Sequence, residues 1–190
     1  MNYIAIDFET ANYYQNSACQ IGLVRFENGI EVESFSSLIK PGKLYFVPEF
    51  TNDIHGISYE DVLNKPQFPE IWDKYVMPFI NKKKVPLVAH NAGFDMNVIK
   101  ECCKYYGMDI PDIRYFDSLS LSKKVWPNLE SHKLTSLGEY FEITYLAHDA
   151  LEDSRTCGIV VKKAAEKLGA KNVDELIQLA EVKMCHLCED

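Results

Sequence analysis

Five side chains in this sequence have the types and spacing to do chemistry together: Asp7 and Glu9 near the start, Asp95 midway, and His148 with Asp153 late. Asp7 and Glu9 close an apolar run, Tyr3-Ile4-Ala5-Ile6, that reads as a buried strand, and a period of two sends both carboxylates to one side. Like charges held side by side repel unless a cation lies between them. On its own the pair reads equally as a strand end whose acids point into water. Asp95 falls in His90-Asn91-Ala92-Gly93-Phe94-Asp95, after the short apolar strand Val85 to Ala89. Asn91 is the expected N-cap of the helix that follows, and Asp95 lies in its first turn, where the helix dipole alone favours a carboxylate. A strand, tight turn and helix with an acid at the junction is also where open α/β sheets place ligands. His148 and Asp153 are five residues apart, roughly 140° around a continuous helix. They can share a site only if His148 lies in the connection before the helix, which the polar lead-in Ala147-His148-Asp149 permits.

The elements that must position these groups follow from hydrophobic period and turn chemistry. Ser17 to Phe26 reads as a second strand, Asn28-Gly29 as a hairpin turn, and Glu31 to about Ile39 as a third strand. The polar connection Thr10 to Asn16 is placed to form a rim beside Asp7 and Glu9. Pro41-Gly42 opens an irregular stretch to Ser58 that contains His55. Phe68 to Ile80 is an expected helix with Ile71, Trp72, Tyr75, Val76 and Phe79 inward. The helix after Asn91 turns Phe94, Val98, Ile99, Cys102 and Tyr106 inward. Ile113 to Asp117 is a further strand, Ser118 to Trp126 and Lys133 to Tyr140 are helices, and a long helix from about Ala150 ends at Gly169. Asn172 to Lys183 is amphipathic. The tail Cys185-His186-Leu187-Cys188 has too few partners for a zinc site and is expected to be flexible.

The chain has 190 residues, 47% hydrophobic and 25% charged, which fits one globular domain with an ample core. Its net charge of -8 argues against a broad basic face for duplex DNA, though a small nucleic-acid site remains compatible. No apolar run approaches the roughly 18 residues of a membrane span. The acids at positions 7 and 9 occupy the place where a signal peptide needs its apolar segment. Six cysteines without disulfide spacing fit a reducing compartment. A cytoplasmic protein with no membrane association is the expectation.

Taken in order, Asp7-x-Glu9, then Leu87-Val88-Ala89-His90-Asn91-Ala92-Gly93-Phe94-Asp95, then His148-x-Ala150 with Asp153, resemble the three motifs of the DEDDh (DnaQ-like) 3′–5′ exonuclease family. That family includes the proofreading epsilon subunit of bacterial DNA polymerase III, and His55-Gly56-Ile57 lies between the first two motifs as in epsilon-like members. The resemblance covers about residues 1–168 and implies an exonuclease domain there. Residues 169–190 would be a helical extension packed on that domain or trailing it. It also implies an α/β ribonuclease H-like fold, a mixed five-stranded sheet with helices on both faces. Family members commonly follow the first motif with Thr and Gly, whereas this chain has Thr10-Ala11-Asn12.

The resemblance implies that Asp7, Glu9, Asp95 and Asp153 hold two divalent cations, Mg²⁺ or Mn²⁺. Asp7 would bridge both, Glu9 and Asp153 complete the first, and Asp95 support the second. Carboxylate oxygens suit these hard ions, and a pair about 3.5–4 Å apart can hydrolyse a phosphodiester. His148 would be the general base, since an ordinary imidazole titrates near about 6.5. The backbone from Phe8 to Ala11, with Thr10, His55, Asn91 and Phe94, would hold the terminal nucleotide, Phe94 being equally readable as core. The expected activity is release of nucleoside 5′-monophosphates from the 3′ end of single-stranded or frayed DNA. The alternatives are an exoribonuclease on short or structured RNA ends and a catalytically idle binding subunit of a polymerase assembly. The expected partners are nucleic-acid 3′ ends and a DNA polymerase subunit, with the oligomeric state left open.

Overall fold

The computed structural model describes residues 1–188. Its sheet is built around β1 (Tyr3–Thr10), in which Ile4, Ile6 and Phe8 point to one face and Tyr3 and Ala5 to the other, all buried. Both faces of this strand are therefore covered, as its unbroken apolar run demands. β2 (Ala18–Glu27) and β3 (Ile30–Leu38) continue as an antiparallel meander. Asn28 and Gly29 between them are both left-handed (φ 52 and 73), the backbone that a type I′ turn requires. β4 (Leu87–Ala89) lies parallel to β1, and β5 (Arg114–Asp117) parallel to β4.

The sheet order is β3-β2-β1-β4-β5-β6, one strand more than expected. The addition, β6 (Cys185–His186), pairs antiparallel with β5, and Leu187 beside it is fully buried. The tail expected to be flexible is thus folded onto the sheet edge through residue 188; two paired residues are too few for a period to show in the sequence. His186 Nδ1 and Cys188 Sγ both approach Asp112 Oδ1, at 3.2 and 3.4 Å.

Helices cover both faces. On one, α1 (Tyr59–Val62), α2 (Phe68–Ile71) and α3 (Met77–Asn81) precede α4 (Gly93–Tyr106). Phe68, Ile71, Met96 and Ile99 pack there against Ile4, Ile6 and Phe8. The expected helix from Phe68 is interrupted by a π-helical turn over Trp72–Val76, which shifts the inward phase and leaves Tyr75 exposed against Phe35. The other face carries α5 (Ser118–Val125), α6 (Leu134–Tyr140), α7 (Ala150–Leu168) and α8 (Val173–Ala180). Their Leu121, Leu137, Val160 and Leu176 pack with Tyr3, Ala5, Val24 and Phe26.

α7 lies directly on β1 and β2 because two glycines remove the side chains that would hold it off. A Cβ at Gly22 would overlap the Ala150 carbonyl, and one at Gly158 would overlap the Phe26 ring. Ser154 Oγ donates to the Gly22 carbonyl at 3.0 Å and Tyr3 Oη to the Gly158 carbonyl at 2.8 Å. No described helix is long and apolar enough to cross a membrane.

Candidate active site

The alternation that buries Tyr3 and Ala5 under α7 carries on to Asp7 and Glu9, so both acids emerge on the α7 side at the carboxyl end of β1. Asp7 is paired with Gly22 and Glu9 with Gln20 on β2. Gln20 ties β2 to the start of α7: its Nε2 donates to Asp149 Oδ2 and its Oε1 accepts from Ala150 N, each at 3.1 Å. Asp149 also caps α7, accepting from the Leu151 and Glu152 amides at 3.1 Å. These bonds fix the first helical turn, which carries the buried Asp153.

His148 precedes that helix in a left-handed conformation, φ 65, and its side chain is exposed. Its backbone amide donates to Asp153 Oδ2 at 2.7 Å. Placed off the helix, the imidazole can share a site with Asp153. Glu9, His148 and Asp153 each present a ligand atom, all within 4.8 Å of one another.

Asp95 reaches the same place from the opposite helical layer. It is only 1% exposed, and its Oδ1 accepts from Phe8 N at 3.0 Å, so the carboxylate closes over the end of β1. The turn before it differs from the expectation. Ala92, not Asn91, occupies the N-cap position of α4, and no side chain caps it from there. Asn91 is left-handed, φ 69, which turns its amide toward β5. Asp117 Oδ1 accepts from Asn91 N at 2.9 Å and Ala92 N at 3.2 Å, while the same side chain caps α5. His90 is structural: its Nε2 donates to the His132 carbonyl and its Nδ1 accepts from Ser118 Oγ, both at 2.8 Å.

The acids of the cluster repel one another and are only partly relieved. Burial pushes the Asp7 carboxyl well above the usual carboxylate range, and Asp95, Asp153 and Glu9 push it further. Burial also raises Asp95, against the pull of its amide hydrogen bonds. Glu9 is pushed up to about 8 by burial, then by Asp153 and Asp95. Asp153 reaches only about 6, because the His148 amide and imidazole offset part of its burial. Four converging carboxylates that repel one another form a donor set fitted to hard divalent cations.

The residues expected at the nucleotide divide. Phe8 and Ala11 do not face the site: Phe8 packs in the core near Phe68, its amide held by Asp95. Ala11 is fully buried, with its amide given to Ser17 O and its carbonyl to Val47 N, both at 2.9 Å. Thr10 ends β1, and its carbonyl accepts from His55 Nε2 at 3.1 Å, while His55 Nδ1 accepts from Ile57 N. Asn91 is exposed, and Phe94, expected inward, is 37% exposed at the α4 start.

Gln20, Asp117 and Tyr145 went unnoticed in the sequence. A glutamine inside the apolar run Ala18–Phe26 was a usable signal, since a buried amide must find partners. Asp117 ended an expected strand before a helix, a capping position that could have been read. Tyr145 gave no signal through spacing. Its hydroxyl is buried beside the Asp153 carboxylate, and its ring lies against Gly138, where a Cβ would be 2.8 Å from Cε1.

The family model described as "Exonuclease" (RNase_T) matches residues 4–161. The chain is 31% identical over 180 residues to a DNA polymerase III PolC-type protein of Caldanaerobacter subterraneus, covering 92% of this chain but 12% of that one. It is 28% identical to the DNA polymerase III subunit epsilon of Aquifex aeolicus, covering 89% of this chain and 83% of that subunit. Thus it spans only a small part of the first of these relatives. The nuclease domain of 3′hExo, a DEDDh family member bound to rAMP, superposes with a TM-score of 0.78 at 15% identity, covering 90% of this chain and 94% of that one. This likeness shows the same ribonuclease H-like fold. Since the matched residues span most of its length and include every acid of the cluster, the chain belongs to this exonuclease family.

Proposed function

We propose that the chain is a metal-dependent 3′–5′ exonuclease, releasing nucleoside 5′-monophosphates from single-stranded or frayed DNA ends. The observation that carries this reading is the convergence of the half-buried Asp7 and Glu9 with the buried Asp95 and Asp153, mutually repelling, with the His148 imidazole at their solvent edge. Asp7, Glu9, Asp95 and Asp153 would hold two Mg²⁺ or Mn²⁺ ions. When bound, such ions polarise the phosphoryl group, activate water and neutralise the departing oxygen.

The protein's own side chains then do the rest. His148 takes the proton of the attacking water, and its exposure leaves a path by which that proton reaches solvent. The bond from His148 N to Asp153 fixes the imidazole's loop to the helix that carries the acid. Thr10, His55, Asn91 and Phe94 surround the place for the terminal nucleotide. The names of the PolC-type and epsilon relatives support a role beside a DNA polymerase.

Digestion of 5′-labelled and 3′-labelled oligonucleotides with Mg²⁺, Mn²⁺ or EDTA tests the reading. Mononucleotide release from the 3′ end, abolished by EDTA, is expected. No mononucleotide with either metal overturns it in favour of a binding subunit, and parallel DNA and RNA substrates fix the sugar preference.

A further inference from the structure

The connection Thr10 to Asn16, where the chain departs from the family pattern, displays large aromatic side chains to solvent. Tyr13 and Tyr14 are each 72% exposed and Tyr45, across from them, 59%. A cleft of about 500 Å³ is lined by Thr10, Tyr13, Tyr14, Phe50 and Phe94, of which Thr10 and Phe94 are the chain neighbours of Glu9 and Asp95. A second cleft of about 380 Å³ shares Asn12 and Tyr14 with it and continues past Lys43, Tyr45 and Tyr105. The two therefore form one path on the surface that follows the end of β1.

The rings on this path are exposed but their backbone is locked. Asn12 Oδ1 accepts from Tyr14 N at 2.9 Å, and the Tyr14 carbonyl accepts from Ser17 N at 3.0 Å and Ser17 Oγ at 2.6 Å. Asn12 Nδ2 donates to the Tyr45 carbonyl at 2.7 Å, stapling the two rims together. Tyr13 stands edge-on to Phe50 at 4.9 Å, and Phe50 edge-on to His55 at 6.4 Å. Exposed aromatics on a fixed turn lose little freedom when a flat apolar surface covers them. Among its lining residues the path carries one cation, Lys43, while its Glu101 is paired with Lys104 at 2.7 Å, so it cannot hold a polyanion chiefly by charge.

We infer that this aromatic path binds the unpaired nucleotides upstream of the one being removed, by stacking their bases on Tyr14 and its neighbours. This rests on the exonuclease reading and names the substrate form it prefers: a single strand several nucleotides long, with the ribose or deoxyribose unread along the path. Base stacking on an aromatic ring is worth about tenfold in affinity per base. With only Lys43 to release counterions, the gain from added nucleotides varies with salt no more steeply than a log–log slope of about −0.7.

The test compares kcat/KM on tetrathymidylate with kcat/KM on the p-nitrophenyl ester of thymidine 5′-monophosphate, which is too short to enter the path. The tetramer-to-ester ratio is expected to fall about tenfold in Tyr14→Ala and to return in Tyr14→Trp. An unchanged ratio in Tyr14→Ala, or a ratio whose salt slope is as steep as about −2, overturns the inference in favour of phosphate contacts. Anisotropy of a 5′-fluorescein decathymidylate separates this from failure of the activity itself. If the chain hydrolyses neither substrate, Tyr14-dependent binding still sustains the path, and binding that is absent or indifferent to Tyr14 overturns it.

Discussion

Asp7, Glu9 and Asp95 stand on a central strand and a helix whose backbone is paired, whereas His148 stands on an exposed, left-handed residue of the connection into α7. The contrast follows from what each must do. Carboxylates that repel one another stay together only where regular structure over-determines their positions. In the proposed role of base, His148 exchanges protons with water and needs the surface, which a connecting loop supplies. Asp153 belongs to both sides: it rides on α7 with the acids and holds the His148 amide.

The sharpest way to break the comparison is to remove one member of each side. Asp7→Asn is expected to lose more turnover than the about 10²–10⁴-fold typical of a general base, and to lose the rise in Tm on adding Mg²⁺. His148→Gln is expected to lose about 10²–10⁴-fold in kcat while keeping that rise. Thermal scans with and without Mg²⁺, run beside the assay, check both. Loss of the rise in His148→Gln would merge the two sides into one.

Tyr145 tests the join between them. Its buried hydroxyl faces the Asp153 carboxylate and steadies it, so Tyr145→Phe is expected to raise the half-saturating Mg²⁺ or Mn²⁺ concentration about 10–100-fold. Metal titrations of activity give the number.

The pH dependence of the metal-free protein has a definite sign. Glu9 at about 8 and Asp153 at about 6 lie above their ordinary values, so their contribution to stability is complete at acidic pH. It is lost as pH rises through about 6 and then about 8. In EDTA, Glu9→Gln is therefore expected to gain Tm over the wild type between pH 6 and pH 8, followed by scanning fluorimetry. The smallest effect concerns the seat of α7. Gly22→Ala is expected to cost about 1–3 kcal/mol by overpacking against Ala150, or roughly 2–4 °C in Tm per kcal/mol.

Period and turn chemistry made much of this legible. The run Tyr3–Ile6 and the Asn28-Gly29 turn announced the meander, and the five-residue spacing of His148 and Asp153 required the histidine to precede its helix. What stayed hidden depends on contacts between distant residues. Phe94 reads as an inward position by helical spacing, but at the start of α4 it lies beyond the layer it would pack against. Asn91 has the type of an N-cap, yet Asp117 takes its amide from another strand. The cap of α7 was short-range, while its tie to Gln20 spans the chain.

α7 completes the site by docking on strands made from the beginning of the chain. The meander of β1 to β3 forms from neighbours in sequence, while the α7 contacts demand closure of a very long loop. The carboxylates consequently meet late in folding, after most of the structure that confines them exists. If the proposed cations are held by these acids, they are expected to slow unfolding far more than they hasten folding, a difference that stopped-flow refolding and unfolding in Mg²⁺ and in EDTA would display.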